Sequence, residues 1–366
     1  MWEETYVRAC ANLGVQPRNE VLAAVGGTAQ LCGNTFANFE NRLTDEELAA
    51  LCETCRQISL VAVVRLPYNN ITCRGATALA KAMKEGFSTL QYLDLSYNSI
   101  NEEGANAIAA AATNYEMLST LLLNGNPIGG GSGPCLKTLL ESENTQLVTL
   151  DLEQTDQGLK SLVHIARGLV HNTTLTTLNL GRPLMTNPMD VSYVVEHLSL
   201  ALKENRTLRF LGLSHFNMAD CDLALLLSTL RDSAVTTLSL KGNKLSQASG
   251  EPLAQLLAHR PDFLSLDVTA NRLRDVGALA IAAVIANHPG LRELQIGFNT
   301  IGGVGISALA QSLAANASIT TLKLWGNDLT DESVRDLYAI RGRFESMEVT
   351  DFSFYVVDGC PMVARE

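Results

Sequence analysis

The chain has 366 residues, 46% hydrophobic and 18% charged, with 27 Lys and Arg against 38 Asp and Glu for a formal net charge of −11. That balance argues against the Lys/Arg-rich footprint that phosphate binding demands, so no direct nucleic-acid partner is expected. The opening residues MWEETYVRACANLG lack a basic segment followed by an apolar run, and no uncharged stretch reaches bilayer length, which predicts a soluble cytoplasmic chain with no membrane partner.

Residues 1–60 carry no repeat and read as an N-terminal cap over the first exposed edge of a repeat array that begins at Val61. Within them a helix is predicted over residues 21–25 and a short strand over 30–32. Thr44-Asp45-Glu46-Glu47 has the spacing of a capping box, in which the Thr oxygen accepts the Glu47 N–H and the Glu47 carboxylate returns to the Thr44 N–H. The helix behind it should run to about Arg56.

From Val61 onward one pattern recurs: apolar residues at positions 1, 4 and 6, Asn at 9 and Ile or Leu at 11, then a helix-spaced apolar set. Leu90, Leu93, Leu95, Asn98 and Ile100, followed by Ala105, Ile108, Ala109 and Ala112, form a complete copy. Starts fall at 61, 90, 118, 147, 175, 208, 235, 263, 291 and 319, mostly 28 or 29 apart, with degenerate copies at 147, 175 and 208. This period resembles the ribonuclease-inhibitor class of leucine-rich repeats. The resemblance implies an α/β solenoid (horseshoe) over 61–345, with parallel strands on the concave side and helices on the convex side. Neighbouring strands about 4.8 Å apart would give ten strands an inner arc on the order of 43 Å.

Asn69, Asn98, Asn126, Asn243, Asn271, Asn299 and Asn327 fall where the chain leaves each strand, and their amides are expected to bond the bends of their own and adjacent units. Thr155, Pro183 and Phe216 stand in that place in the degenerate copies. The interval from Leu175 to Leu208 is 33, with the extra residues in GRPLMTNPMD, residues 181–190. Two prolines deny it regular hydrogen bonding. It reads either as a tolerated surface insertion or as a partner-specific rim loop carrying Arg182, Pro183, Met185 and Asn187. After Leu329, Thr330-Asp331-Glu332-Ser333 opens a last helix to about Glu345. In residues 346–366 alternating aromatic and β-branched residues flank Asp358-Gly359, which predicts a capping β-hairpin.

Catalytic motifs are absent, and no cofactor, metal or small-molecule substrate is expected. Cys52 and Cys55 form a lone CxxC, which reads as buried thiols or as half of a zinc site. The Gly-rich run at 129–133 follows a strand and enters a helix as phosphate loops do, but ends in Gly133-Pro134-Cys135 without the required Lys. Asn70, Asn172, Asn205 and Asn316 head Asn-x-Ser/Thr triplets that would matter only in a secreted protein.

Strand alternation places positions 3, 5 and 7 away from the helices. The predicted partner-binding face therefore carries Tyr92, Asp94, Asp151, Glu153, Phe210, Asp267, Glu293 and Trp325, with Tyr97, His215 and Phe298 at position 8. Carboxylates interleaved with rings suit a protein partner bearing Lys or Arg, and the alternative is a solvated face. The strand exit Asn179-Leu180-Gly181-Arg182-Pro183 and the ending Val356-Val357-Asp358-Gly359 are similar to a leucine-rich-repeat family of ciliated eukaryotes and vertebrates. That resemblance implies a non-enzymatic interaction scaffold of the ciliary or flagellar axoneme, part of the cytoskeleton, with axonemal proteins as partners. It also implies an association with germ cells and nuclear bodies in vertebrates. Two other readings stand beside it. One is a soluble ribonuclease-inhibitor-like inhibitor. The other resembles Ran GTPase-activating proteins, with Arg74 supplied from a loop after a strand.

Overall fold

The computed structural model describes residues 1–23 and 27–365, which form two compact units, Met1–Met185 with Glu204–Leu208 and Thr186–Lys203 with Arg209–Glu366. The first unit opens with α1 (Trp2–Leu13) and α2 (Asn19–Leu22). Strands β1 (Thr28–Gln30), β2 (Val63–Arg65), β3 (Tyr92–Asp94), β4 (Thr120–Leu122), β5 (Thr149–Asp151) and β6 (Thr177–Asn179) then alternate with α3 (Asp45–Gln57), α4 (Cys73–Lys84), α5 (Glu102–Ala112), α6 (Gly133–Glu141) and α7 (Leu159–Leu169). The six strands pair in parallel in chain order.

The second unit has α8 (Pro188–Glu204, all but its last residue), then β7 (Phe210–Gly212), α9 (Asp220–Leu230), β8 (Thr237–Ser239), α10 (Gly250–His259), β9 (Ser265–Asp267), α11 (Arg274–Ile285), β10 (Glu293–Gln295), α12 (Gly303–Ala315) and β11 (Thr321–Lys323). After α13 (Asp331–Ala339) and α14 (Arg341–Glu345), β12 (Val349–Thr350) continues the parallel pairing beside β11. An antiparallel hairpin of β13 (Phe352–Val357) and β14 (Cys360–Arg365) closes the chain.

Strands β1 to β11 are only three residues long, and the middle side chain of each is buried. In the first unit Val64, Leu93, Leu121, Leu150 and Leu178 pair in register, and in the second Leu211, Leu238, Leu266, Leu294 and Leu322 do so, all buried. Each fully buried Leu contributes about 1.5–3 kcal/mol relative to an exposed one. Both units are stacks of leucine-rich repeats, with strands on one side and helices behind them.

The Asn ladder forms as the spacing predicts. Asn126 Nδ2 donates to the carbonyls of Leu95 and Leu123, both at 2.9 Å, and its Oδ1 accepts the Ile100 N–H at 3.0 Å. Asn98, Asn243, Asn271 and Asn299 repeat the arrangement. Where Asn is missing, Thr155 Oγ1 donates to the Leu152 carbonyl at 2.6 Å and Gln157 Nε2 reaches the Gly129 carbonyl at 3.2 Å. Phe216 fills its place with a buried ring.

A second ladder lies at the opposite bend, three residues before each first apolar position. Asn172, Asn205 and Asn316 are buried there, each Oδ1 accepting two backbone N–H groups and each Nδ2 donating to carbonyls of the preceding units. His288 and Arg260 occupy the same place, and burial lowers the His288 pKa despite its backbone bonds. Three of the four apparent glycosylation triplets are therefore repeat bends, and the fourth, Asn70, is exposed.

The Thr44 capping box is present, and α3 ends at Gln57. The first strand spans Thr28–Gln30 rather than 30–32, and the helix predicted over 21–25 is realised as Asn19–Leu22, its expected end at Val25 lying outside the described residues. The predicted last helix to Glu345 is broken at Ile340 into α13 and α14, which lets Phe344 turn inward against Phe352 and Phe354. Asp358 and Gly359 have φ of 48° and 80°, the left-handed pair a two-residue hairpin turn requires.

Candidate interaction surfaces

In each unit the face away from the helices is built from three rows at positions 3, 5 and 7, most members half-buried because neighbours stand one strand spacing away, with Arg65 and Lys241 exposed and Ser96 and Ser265 among those buried. In the first unit the position-5 row reads Arg65, Asp94, Leu122, Asp151, Asn179. Asp94 and Asp151 thus flank Leu122. Arg65 lies over the Tyr92 ring at 4.7 Å from its centroid. Asn179 Nδ2 donates to Asp151 Oδ2 at 3.3 Å and to Glu153 Oε2 at 3.1 Å, and Arg182 Nε is 3.7 Å from Glu153 Oε1. Burial, with the charges of Glu153 and Asp94 adding to it, pushes the Asp151 carboxyl up to about 6, against the hydrogen bonds from Glu153 and Asn179.

These Asp residues also shape the scaffold. Oδ1 of Asp94, Asp151 and Asp267 accepts the backbone N–H two residues on, each at 2.9 Å, and Asn179 Oδ1 does the same for Gly181 at 3.2 Å. One oxygen of each carboxylate is therefore committed to the strand exit.

In the second unit Phe210 and Glu293 are half-buried at position 3, and Ser265 Oγ donates to Glu293 Oε2 at 2.9 Å. Asp267 Oδ2 accepts from Ser239 Oγ at 3.3 Å, and the Trp325 backbone N–H donates to the Asp351 carboxylate at 3.2 Å. The same rows carry Lys241 and Lys323, so this face mixes both signs rather than being acidic throughout.

Position 8 is the feature the periodicity did not expose. In all ten repeats it has positive φ: Tyr68, Tyr97, Gly125, Gln154, Arg182, His215, Gly242, Ala270, Phe298 and Gly326, between 50° and 85°. A left-handed residue tilts its side chain over the next repeat. Tyr97 lies where a Cβ on Gly125 would sit, His215 likewise on Gly242, and Phe298 on Gly326. Tyr68 stacks on Tyr97 with centroids 4.4 Å apart and planes 3° apart. Tyr97, His215 and Phe298 are each seated on a glycine of the following repeat, yet Tyr97 and Phe298 remain 38% and 48% exposed.

The rim segment departs from a simple surface loop. Met185 is buried and Gly181 with it, while Arg182 and Asn187 are exposed and Pro183 is half-buried. Leu184 N–H donates to the Gln157 carbonyl at 2.8 Å, and Pro188 opens α8, where a missing N–H costs nothing. Part of the insertion is thus spent on a 17-residue helix.

At the other candidate positions, Gly131 of the Gly-rich run abuts the Glu102 carboxylate, which repels phosphate, and Gly133 packs on Ser161. Cys52 and Cys55 are buried; burial pushes Cys52 up to about 12 and raises Cys55 as well. Among the described residues no group of three or more His, Cys, Asp or Glu is placed to hold a metal, and no helix is long and apolar enough to cross a membrane. Arg74 lies in the first turn of α4, paired with Glu46 at 2.7 Å.

Residues 88–109, 261–282 and 288–310 match the family model described as Leucine Rich repeat, one segment in the first unit and two in the second. The Tonsoku-like protein of Mus musculus is 26% identical over 280 residues, 73% of this chain and 20% of that protein. RAN GTPase-activating protein 2 of Arabidopsis thaliana is 28% identical over 116 residues, 32% of this chain and 21% of that protein. The matched region therefore spans about a fifth of either relative's length. A chain in the crystal structure of the yeast Rad7 and Elc1 complex superimposes with a TM-score of 0.55 at 16% identity, covering 96% of this chain and 87% of that one, a likeness of fold.

Proposed function

We propose that this leucine-rich repeat chain is a non-enzymatic scaffold that binds protein partners on its strand faces. The observation that carries the reading is the position-8 row, where rings that would otherwise be mobile are fixed over glycine and left exposed beside half-buried carboxylates. A pre-positioned ring loses little rotamer freedom on binding, which is what makes aromatic residues effective anchors. Asp94, Asp151 and Glu153 in the first unit, and Asp267 and Glu293 in the second, favour partner segments that bring Lys or Arg to the rings of the same unit, and Arg182 in the first unit and Asn187 in the second add polar groups at the rim segment.

The finer reading is a docking component of a ciliary or flagellar axoneme, supported by the likeness of the Asn179–Pro183 strand exit and the Val356–Gly359 turn to leucine-rich-repeat-containing protein thirty-four. Replacing Phe298 and Trp325 by Ala together should weaken capture of axonemal partners by about 2 kcal/mol or more with an unchanged melt. Capture of the same partners at the same salt would remove the strand face from consideration, and an absence of the protein from salt-washed axonemes would remove the ciliary reading. A second reading rests on the similarity to RAN GTPase-activating protein 2. Under it, the chain would accelerate GTP hydrolysis by Ran and Arg74→Ala would abolish the effect; an absence of acceleration by the unaltered chain would remove this reading.

A further inference from the structure

On the helix side of the second unit, two adjacent helices present uncharged segments. Residues 276–285 of α11 and all of Gly303–Ala315 in α12 contain no ionisable side chain, although 18% of the whole sequence is charged. Small residues bring the two helices close: the Gly305 position leaves no room for a Cβ between Ile301, Asp275 and Ala278. Their outward positions are nonetheless apolar, with Val304 65%, Val276 58% and Leu279 42% exposed. Between α11, α12 and α13 runs a groove of about 540 Å³ whose walls include Leu279, Val304 and Ala308 and, on the same walls, Asp275, Glu332 and Asp336. An apolar surface of this kind, edged by charge of one sign, marks a place where a partner sits.

We propose that this groove takes a basic amphipathic helix from a protein partner, its apolar stripe on Val304 and Leu279 and its Lys or Arg side chains against Glu332 and Asp336. Helices dock in such grooves through anchors at i, i+3, i+4 and i+7. Charge decides between occupants. A second copy of this chain related by a two-fold axis would set the same carboxylates against each other, and an anionic membrane surface would meet them with like charge. A basic helix neutralises them. Asp275 holds the Gly305 N–H at 2.9 Å and serves the fold, so Glu332 and Asp336 are the carboxylates left to read a partner. This site is independent of the strand-face reading above.

The test uses the full chain as bait for two displayed libraries of 18-residue segments. Both have Leu or Ile at i, i+3, i+4 and i+7; one carries Lys and Arg elsewhere, the other Asp and Glu. The expected result is at least tenfold greater enrichment from the basic library, with affinity lost at least tenfold on Val304→Glu and reduced several-fold in the Glu332→Gln/Asp336→Asn double variant. Val304 is exposed, so its replacement should leave the melt unchanged, and Trp325→Ala on the strand face should leave this binding intact. Absence of enrichment, equal enrichment from the acidic library, or binding that survives Val304→Glu overturns the proposal. Concentration-dependent dimers abolished by Val304→Glu would do so as well, by giving the groove to a second copy.

Discussion

Asn126 shows how much of the stability of a repeat rests on one side chain. Its amide bonds three backbone groups from two repeats in a place water does not reach, so Asn126→Ala leaves the Ile100 N–H and the Leu123 carbonyl short of a partner, while the Leu95 carbonyl keeps Asn98 Nδ2. A cost of about 2–3 kcal/mol is expected in urea melts, beside about 2–5 kcal/mol for Leu123→Ala, whose cavity rigid neighbours cannot fill. Asp151 behaves in the opposite sense. Its carboxyl titrates at about 6 in the folded chain, above the ordinary aspartate value of 3.8, so the native state binds the extra proton between those limits. The group therefore costs stability above pH 6 and is relieved as pH falls towards 4. Asn at 151 keeps an oxygen for the Glu153 N–H and removes the charge but gives up the bond that Oδ2 accepts from Asn179, so Asp151→Asn should stabilise by about 1–2 kcal/mol at pH 7 and by clearly less at pH 5. An equal gain at both pH values would show that burial of charge is not the cause. The ladder Asn residues were legible in the sequence because their phase is fixed and their chemistry is backbone-like. Asn172, Asn205 and Asn316 were not, because a bend built from Asn-x-Ser/Thr has the same letters as a glycosylation site.

Strands and helices were legible wherever the apolar spacing was complete, and the hairpin was legible from the alternating aromatic and β-branched residues on either side of Asp358-Gly359. The conformation of position 8 was hidden because seven different residue types over the ten repeats, from Gly to Arg, satisfy one backbone requirement. Only when φ is positive at every one of them does the row become a single element. Its consequence is a coupling between adjacent repeats. Ala at Gly125 would adopt φ of 72° with a methyl group driven into the Tyr97 ring. The backbone cost is about 1–2 kcal/mol, and the ring must leave its place. Gly125→Ala should therefore lower the melt and also weaken any partner that reads Tyr97, whereas Gly14→Ala, in the left-handed region at φ of 67° and ψ of 25° with open space around it, should carry the backbone cost alone. Binding lost equally in both variants would mean that the ring position does not matter. The Ile340 break was illegible for a related reason: the demand comes from the Phe344, Phe352 and Phe354 rings, which are distant from the Thr330 cap that announces the helix.

For the molecule as a whole, thiol reactivity reports how the repeats open. Cys221 and Cys360 are exposed, Cys32, Cys73 and Cys135 are half-buried, and Cys10, Cys52 and Cys55 are buried. Alkylation requires the thiolate, and burial raises the Cys10, Cys52 and Cys55 thiols while also barring the reagent. Cys52 and Cys55 share α3, and Cys10 lies on α1 packed beside it, so all three should be protected by one local structure. Brief treatment of the native chain with iodoacetamide, read by mass spectrometry, should modify Cys221 and Cys360 first and leave those three untouched. In rising urea they should become reactive together, since a stack of repeats opens along its length rather than one side chain at a time. Reaction of Cys52 or Cys55 in the native state at the rate of Cys221 would mean that the α1 and α3 packing opens far more readily than its buried Tyr6, Leu48 and Leu51 side chains imply.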